Sequence, residues 1–456
     1  MRSTAAITET LAAFTTALTL AEVPGEVVER THLLVLDCIG NIVRAGAEAE
    51  STPALLSAVA ALGLDHGSAR VFGDSARYGP AGAVLVNATL AHSLDFDDTH
   101  AQSIVHAAAP IIPAAFAAAE VSGASGADVV AGIIAGYEVA IRIALALPAG
   151  DHYDRGFHPS ATCGAFGAVA ATARVLGLDT ATTASAFGIV LSQTSGSLQF
   201  LANGAWTKRF QVGWASMAGF SAATLAGKGF KGASAPLEGK HGFLNAYAPA
   251  ADPARAVEGL GQTWELMRTG LKPYPSCRWG HACVDAAIAL RREHGLVLAD
   301  LQSATLGVSQ AAMLLIGAPR EKKVAPANIV DAQFSGPFVI AVALATGAMG
   351  WDSYALLDDP AIRSAMQRIA CVNDPEAQAA FPEAMAGRLT LETTKGTFSR
   401  FIRTPKGEPD NFLSEAEVLA KFTDLSAPKL GTAEAQALAD RVLSLAELPR
   451  GAAVFG

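Results

Sequence analysis

The stretch GADVVAGIIAGYEVAIRIALAL, residues 126–147, decides the fold class of this chain. Charged residues are few in it among alanines, glycines and aliphatic side chains, and a proline follows it directly. A helix with so few polar positions is buried, and small residues let neighbouring helix axes approach closely. The stretch GAFGAVAATARVLGL, residues 164–178, has the same character. Together they predict buried central helices in an all-helical body.

Helical periodicity extends outward from this centre in both directions. At the N-terminus, apolar residues recur every three to four positions at Ile7, Leu11, Phe14 and Leu18. After Pro405 the pattern is helical again, and Ser414 with Glu417 matches a capping box at the start of a helix.

The sequence character differs between residue 270 and residue 403. Residues 304–317, ATLGVSQAAMLLIG, alternate in the manner of a strand, and residues 387–405, GRLTLETTKGTFSRFIRTP, alternate around a Lys-Gly turn. Such alternation around a turn predicts a β-hairpin. The order of structure along the chain is therefore α, then α+β, then α, and the predicted class is mainly α with an α+β part.

Composition limits the kinds of partner. The chain has 456 residues, 51% of them hydrophobic and 16% charged, so it can bury a large core and is not disordered. The net charge of −9 argues against a broad nucleic-acid surface, because neutralising phosphates requires a basic face. If the ligand is anionic, a few local Lys or Arg side chains must hold it.

Mean hydropathy of +0.32 raises the question of a membrane. Three long uncharged stretches, Thr99–Ala119, Thr180–Thr207 and Ala332–Trp351, are each interrupted by histidines, prolines or polar residues. We read them as buried helices of a soluble protein. The N-terminus lacks the apolar segment of a secretory signal, and the five cysteines form no CxxC pair, so we predict a cytoplasmic protein with reduced thiols.

The densest polar cluster in the first half is HSLDFDDTH, residues 92–100, followed by His106. Its carboxylates at Asp95, Asp97 and Asp98 repel one another unless they are protonated, paired or bound to a cation. An aspartate-rich DDxxD metal site would need an acid where Ala101 stands. Two interpretations stay open from these residues alone: a functional site, or a helix cap at Thr99.

Three further clusters carry reactive side chains. Tyr153 and His158 precede an apolar helix, and Lys208 with Arg209 follows a long uncharged stretch. The last cluster, KPYPSCRWGH at residues 272–281, lies where the sequence character changes, at a domain junction where ligand clefts prefer to form. Its two prolines stiffen a segment that carries Lys272, Cys277 and Arg278. The alternative is a linker with incidental charges.

Several cofactor motifs are missing from the sequence. There is no GxxxxGK[ST] and no GxSxG, and the GxGxxG match at residues 227–232 follows a helical run instead of a strand. No HxxxH or CxxC spacing supports zinc. We therefore predict no metal and no cofactor.

Taken in order, five segments resemble the MmgE/PrpD family: HSLDFDDTH at 92–100, HPSATCGAFGAVAA at 158–171, TKRFQVG at 207–213, KPYPSCRWGH at 272–281 and AQFSGPF at 332–338. The resemblance covers essentially the whole chain. It implies a cofactor-free homodimer with an all-helical domain built from both chain ends, residues 1–267 and 403–456. It also implies an inserted α+β lid domain over residues 268–402.

The resemblance further implies which residues form the pocket: Asp95, Thr99, His106, His158, Lys208 and Lys272. Beside these, the clusters supply Tyr153 as another proton-transfer candidate and Arg209, Cys277 and Arg278 as candidates for binding substrate. The sequence departs from the pattern of the family's decarboxylases and dehydratases at two places. Cys277 stands where they have a histidine, and Phe338 stands where the decarboxylases have a tyrosine.

The implied chemistry is proton transfer, or loss of CO2, at a carbon next to a carboxylate, on a small anionic di- or tricarboxylate. Because of the two departures, we favour an epimerase of iminodisuccinate or a similar dicarboxylate. The alternatives are a lyase of the 2-methylcitrate dehydratase or cis-aconitate decarboxylase type, and a non-catalytic helical binding protein. We expect Lys208 and Lys272 to share one cleft with His158 and Asp95 and to lower each other's pKa, while His158 titrates near neutrality.

Overall fold

The computed structural model describes residues 6–456 and divides into two compact units. The first unit runs to Gly270 and resumes at Ser414–Gly456, and the second unit is Leu271–Leu413. The chain is mainly α with an α+β part, which confirms the predicted fold class.

The second break in the chain comes later than the residue 403 chosen from sequence. Residues after the last strand stay bonded inside the second unit: the Leu271 N–H donates to the Gly407 carbonyl at 2.9 Å, and the Lys406 N–H donates to Asp285 at 2.7 Å. The residues between the last strand and Ser414 have neither a strand nor a helix pattern. The sequence therefore gave no reason to separate them from the helical part that follows.

The helices of the first unit, before the chain enters the second, are α1 (Ile7–Ala17), α2 (Gly25–Glu48), α3 (Thr52–Ala61), α4 (Pro80–Ala91), α5 (Ala108–Ser122), α6 (Gly126–Ala146), α7 (Ala149–Asp154), α8 (Pro159–Thr162), α9 (Gly164–Leu176), α10 (Thr180–Val190), α11 (Thr207–Gly227) and α12 (Phe243–Tyr247). Of these, α5, α6 and α9 carry almost continuous buried faces and form the centre of the unit. The other helices supply the layers around this centre.

The fold-deciding stretch forms α6, which begins at a capping box between Ser125 and Asp128. Helices α6 and α9 pack closely because glycines face each other across the contact. A Cβ atom on Gly136 would lie 2.9 Å from the Gly167 carbonyl oxygen, and one on Gly167 would lie 2.7 Å from the Gly136 carbonyl oxygen. Any larger residue at either position would push the two helices apart.

Helix α6 is also the one helix among residues 6–456 that is long and apolar enough to cross a membrane by length and composition. Its apolar window lies wholly inside the protein. This burial matches the interpretation of the stretch as a core helix.

The first unit also contains two short antiparallel ladders, so its body is not purely helical. They pair β1 (Ala69–Arg70) with β2 (Arg77–Tyr78), and β3 (Thr99–His100) with β4 (Thr269–Gly270). The second ladder begins at Thr99, so the interpretation of Thr99 as the start of a helix is wrong. Asp98 does cap a helix, but that helix is α5: the Ala108 N–H donates to the Asp98 carboxylate at 3.1 Å.

The second unit is built on a four-stranded sheet. Its strands are β5 (Leu301–Val308), β6 (Ile369–Asn373), β7 (Gly387–Thr393) and β8 (Gly396–Ile402), in the spatial order β6-β5-β7-β8. Strands β5 and β6 are parallel and the other pairs are antiparallel. The predicted hairpin is confirmed, because Thr393 pairs with Gly396 across the turn.

Helices cover this sheet: α13 (His281–His294), α14 (Gln310–Ile316), α15 (Arg320–Lys323), α16 (Ile329–Gln333), α17 (Gly336–Thr346), α18 (Pro360–Met366) and α19 (Pro375–Ala380). Helix α13 packs against β7, β8 and α17. Leu389 and Leu391, the alternating positions of β7, are fully buried. The strand pattern in the sequence therefore corresponds to a sheet with one face packed under helices.

The chain completes the first unit with α20 (Glu415–Leu430) and α21 (Thr432–Leu443). The predicted capping box of Ser414 and Glu417 is confirmed at the start of α20. Helix α20 packs along α2, and its Lys421 lies 2.5 Å from the Asp37 carboxylate. Lys421 also donates to the Phe96 carbonyl at 2.8 Å, so α20 holds the loop that carries the acidic cluster.

Candidate active site

A group of polar side chains comes together inside the first unit. Its members, which we call the polar cluster, are His92, Asp95, Asp97, His106, His158 and Lys208. The first four lie between the end of α4 and the start of α5, His158 precedes α8, and Lys208 lies in the first turn of α11. Three separate parts of the chain therefore supply the cluster.

Lys208 is paired with Asp95 at one side of the cluster. The ammonium nitrogen lies 2.6 Å from Asp95 Oδ1, and the two side chains are 24% and 11% exposed. Burial alone would lower the pKa of Lys208, but the carboxylates of Asp95 and Asp97 outweigh it and raise the pKa. The expected lowering of this pKa is therefore wrong, and Lys208 keeps its positive charge.

The backbone at Asp95 is unusual for a residue with a side chain. Its φ of +54° lies in the left-handed region, and Ile104, two residues before His106, has a φ of +56°. A β-branched residue rarely adopts this conformation, and such strain persists only where the surroundings enforce it. The loop between α4 and α5 is thus held in a demanding conformation within the acidic motif and again before His106.

His92 and Asp97 form a buried pair behind Lys208. His92 Nδ1 lies 2.5 Å from Asp97 Oδ2, and both side chains are almost fully buried. Since a carboxylate oxygen accepts, Nδ1 carries the proton and the lone pair is on Nε2. Burial lowers the pKa of His92, although the Asp97 charge opposes that shift. His92 was not among the site residues predicted from the sequence. The feature that could have indicated it is Asp97, five residues later, with which it pairs.

His106 is more exposed than His92, with 14% of its side chain accessible. Its Nδ1 lies 2.6 Å from the Asp98 carbonyl oxygen, which only accepts, so Nδ1 carries the proton. Thr99 Oγ1 lies 3.3 Å from the same nitrogen, and the Asp97 carboxylate lies 3.6 Å away. With Nδ1 against a carbonyl oxygen, the proton of a neutral His106 ring resides on that nitrogen, and the Asp97 charge lies close to the ring.

His158 is buried beside the other two rings. Its ring centroid lies 5.7 Å from that of His92, and the His92 and His106 centroids are 4.9 Å apart. Burial, with the nearby His92 and Lys208, lowers the pKa of His158 well below its ordinary value. The expectation that His158 titrates near neutrality is wrong, and the ring is neutral at pH 7.

A buried carboxyl group lies beneath the cluster. Burial, with the neighbouring Asp97, raises the pKa of Asp98 to about 8, despite hydrogen bonds from Tyr137 and the Ala108 N–H that favour the charged form. The repulsion predicted among the three carboxylates is thus relieved in two ways. Asp98 holds a proton, while Asp95 and Asp97 are paired with Lys208 and His92.

Two further predicted site residues of the first unit are Arg209 and Tyr153. Arg209 follows Lys208 but donates to the Ser51 hydroxyl at 3.2 Å, and burial lowers its pKa. Tyr153 is half-buried in α7. Its neighbour His152 bonds to the Thr162 hydroxyl at 2.9 Å.

The remaining predicted residues belong to the second unit. Lys272 and Cys277 are buried there, and the Cys277 N–H donates to the Gln333 carbonyl at 2.8 Å. Arg278 is paired with Glu408 at 2.6 Å. Phe338, which stands where the resemblance expects a tyrosine, is fully buried and stacks on the ring of Tyr354 with centroids 5.6 Å apart.

Three members of the polar cluster also satisfy a simple distance test for a metal site. The donor atoms of His92, Asp97 and His106 lie within 4.8 Å of one another. The sequence spacings did not predict this group, because a folded loop assembles it. The hydrogen bond between His92 and Asp97 uses one nitrogen of the ring and one oxygen of the carboxylate. We therefore treat the trio as a hydrogen-bonded histidine–carboxylate group and derive no step through a metal.

Family models match two consecutive parts of the chain, and the second match runs past Leu413 into the closing helices of the first unit. The MmgE/PrpD N-terminal domain matches residues 9–256, and the MmgE/PrpD C-terminal domain matches residues 274–446. A cis-aconitate decarboxylase-like protein of Aspergillus oryzae is 27% identical, covering 96% of this chain and 94% of the relative. The cis-aconitate decarboxylase of Aspergillus terreus is 27% identical, covering 94% and 90%. The human cis-aconitate decarboxylase is 28% identical, covering 63% and 60%.

Proposed function

The chain belongs to the MmgE/PrpD family of enzymes, and from that premise we propose that it is a lyase that removes CO2 from an unsaturated tricarboxylate of the cis-aconitate type. The epimerase favoured from sequence gives way to the lyase alternative. Relatives along nearly the whole chain are named cis-aconitate decarboxylases, and they support the lyase.

The observation that carries this proposal is a charged lysine beside three histidines. Loss of CO2 leaves an electron pair on carbon, which a neighbouring carboxylate delocalises into an enolate-like anion. A fixed cation in a partly buried site stabilises such an anion far better than water does. Lys208, kept charged by Asp95 and Asp97, supplies that cation and also binds a substrate carboxylate.

The reaction balances with one proton from the enzyme. The bond between the departing carboxylate and its methylene carbon breaks, and its electron pair forms a new carbon–carbon double bond. The electron pair of the original carbon–carbon double bond moves to the carbon at its other end, and that carbon accepts the proton. CO2 and an unsaturated five-carbon dicarboxylate leave. We assign this proton to Nε2 of His106, whose protonated ring the Asp97 carboxylate stabilises from 3.6 Å.

His158 has a different role in this scheme. A ring with a pKa well below its ordinary value is neutral during turnover, so it does not deliver a full proton. A neutral imidazole still donates a hydrogen bond, and we assign His158 to the developing anion on the substrate.

The proposal is tested by assaying the purified protein on three substrates in D2O: cis-aconitate, 2-methylcitrate and iminodisuccinate. We expect CO2 release from cis-aconitate and one deuterium at the protonated carbon of the product. His106→Gln should lower kcat by about 10²–10⁴-fold, the usual range for a general acid or base. Deuterium exchange or epimerisation of iminodisuccinate without CO2 release would establish the epimerase instead, and no turnover of any of the three would reject both.

A further inference from the structure

Gln211 lies in α11 three residues after Lys208, and therefore on the same side of the helix. Its side chain is held between two parts of the chain. The backbone N–H of Ser197 donates to Gln211 Oε1 at 2.9 Å, and Gln211 Nε2 lies 2.8 Å from His158 Nδ1.

The Ser197 contact fixes which way the amide points. A backbone N–H only donates, so the amide oxygen must face Ser197 and the amide nitrogen must face His158. That nitrogen also only donates, so His158 Nδ1 accepts and carries no proton. In a neutral imidazole the proton then resides on Nε2.

The backbone keeps both ends of this chain of hydrogen bonds in place. The His158 N–H donates to the Gly196 carbonyl at 3.1 Å, and the Leu198 N–H donates to the Gly156 carbonyl at 2.8 Å. Phe157 pairs with Ser197 in a β-bridge. The segment that orients Gln211 is thus tied directly to the segment that carries His158.

The groups around the ring also favour its neutral form. His92, His106 and Lys208 disfavour a charge on His158, Asp97 favours one, and Phe200 lies edge-on with its centroid 5.8 Å away. The other two histidines of the polar cluster differ from His158 in carrying a proton on Nδ1.

We propose that Gln211 is a positioning residue that locks His158 as the Nε2–H tautomer, so that this ring presents a hydrogen-bond donor while it stays neutral. The tautomer follows from hydrogen bonding alone. Its use in holding the substrate's developing anion rests on the function proposed above.

Long-range ¹H–¹⁵N correlation spectra measure the tautomer of His158 directly in protein whose ten histidines carry ¹⁵N. His158→Asn identifies the His158 signals by their loss. We expect the wild-type protein to show a protonated Nε2 and an unprotonated Nδ1 at His158. A protonated Nδ1 there would overturn the inference.

Gln211→Glu is the informative variant, because it keeps the shape but replaces the donor by an acceptor. Its carboxylate should draw the His158 proton to Nδ1 and raise the pKa of the ring, so that a new titration appears near neutrality. The matched control is Gln199→Glu, which makes the same change at an exposed side chain of the Ser197 segment and should leave the spectrum unchanged. An unchanged tautomer in a folded Gln211→Glu protein would reject the proposal.

Kinetics then separate this inference from the proposed function. In Gln211→Glu we expect kcat on cis-aconitate to fall on the order of 10²-fold, the cost of losing one oriented donor to an anion, with little change in KM. The pH–rate profile should gain an inflection that wild type lacks. If the tautomer is as inferred but the wild-type protein releases no CO2, the inference stands and the proposed function fails.

Discussion

The polar cluster of the first unit and the Lys272–His281 segment of the second unit carry similar residue types but use them differently. In the cluster, Lys208 pairs with Asp95 in a group that also holds three histidine rings. In the second unit, Arg278 is paired with Glu408 and Tyr274 donates to Asp285 at 2.6 Å. These bonds stiffen a proline-containing segment.

The two regions also differ in how far they keep the family pattern. The first unit retains each residue that the resemblance assigns to it, whereas the second has Cys277 and Phe338 in place of a histidine and a tyrosine. Cys277 and Phe338 are therefore the positions at which we test substrate choice.

The largest effect should come from the first unit. Lys208→Met removes the fixed cation, so we expect kcat on cis-aconitate to fall about 10²–10³-fold while the protein stays folded. Lys228→Met, the same change at the exposed end of α11, should leave the rate unchanged. Steady-state kinetics with a melting curve for each variant measure both. A folded Lys208→Met protein with the wild-type rate would remove Lys208 from the site.

A smaller loss is expected from Lys272→Ala in the second unit. Removing one charge-assisted hydrogen bond to a carboxylate should cost about 1.5–3 kcal/mol in kcat/KM. Lys322→Ala, at an exposed lysine of the same unit, is the control. If Lys272→Ala instead unfolds the protein while turnover per folded molecule is unchanged, Lys272 is structural.

Cys277 and Phe338, which stand in place of a histidine and a tyrosine, provide a direct test of substrate choice. We expect Cys277→His with Phe338→Tyr to favour cis-aconitate over iminodisuccinate by about tenfold, the worth of one hydrogen bond of about 1.4 kcal/mol. Ratios of kcat/KM for the two substrates measure this. Phe338→Tyr alone should lower the melting temperature if its hydroxyl stays unpaired, because Phe338 is fully buried. An unchanged ratio in a stable double variant would show that substrate choice resides elsewhere.

Another expected effect concerns stability and pH, and not catalysis. The pKa of Asp98 is raised from 3.8 to about 8, so between these values the folded protein holds a proton that the unfolded chain has lost. The free energy of unfolding therefore falls as the pH rises from 3.8 to about 8, by up to about 1.4 kcal/mol per pH unit. Asn does not titrate, so the free energy of unfolding of Asp98→Asn minus that of wild type should increase from pH 5 to pH 8.

Urea denaturation at each pH measures this difference. Asp358→Asn, at a side chain 92% exposed in the second unit, serves as the control and should follow wild type. A stability difference between Asp98→Asn and wild type that does not change with pH would show that Asp98 is already ionised in the folded protein.

The sequence predicts those features that depend on periodicity. The buried helix at 126–147, the hairpin at 387–405 and the capping box at Ser414 each follow from local patterns, and each is present. The sequence also predicts that Asp95, His106, His158 and Lys208 belong to the site.

The sequence does not predict which side chain pairs with which, because pairing depends on residues distant in the chain. Sequence spacing gave no reason to join Gln211 to both Ser197 and His158, so its role was missed. The expected lowering of the pKa of Lys208 and the expected titration of His158 near neutrality were wrong for the same reason. Each depends on burial and on charges that only the fold brings near.

The contact of Lys421 with the Phe96 carbonyl joins residues 325 positions apart. Since Ser414–Gly456 follows the second unit along the chain, the ribosome makes the whole of that unit before it makes the helix that secures the acidic loop. A nascent chain therefore carries the reactive loop without its support until synthesis has passed Lys421. The polar cluster is completed late, and a chain interrupted within the second unit keeps every residue of that cluster yet lacks the helix that holds its acidic loop.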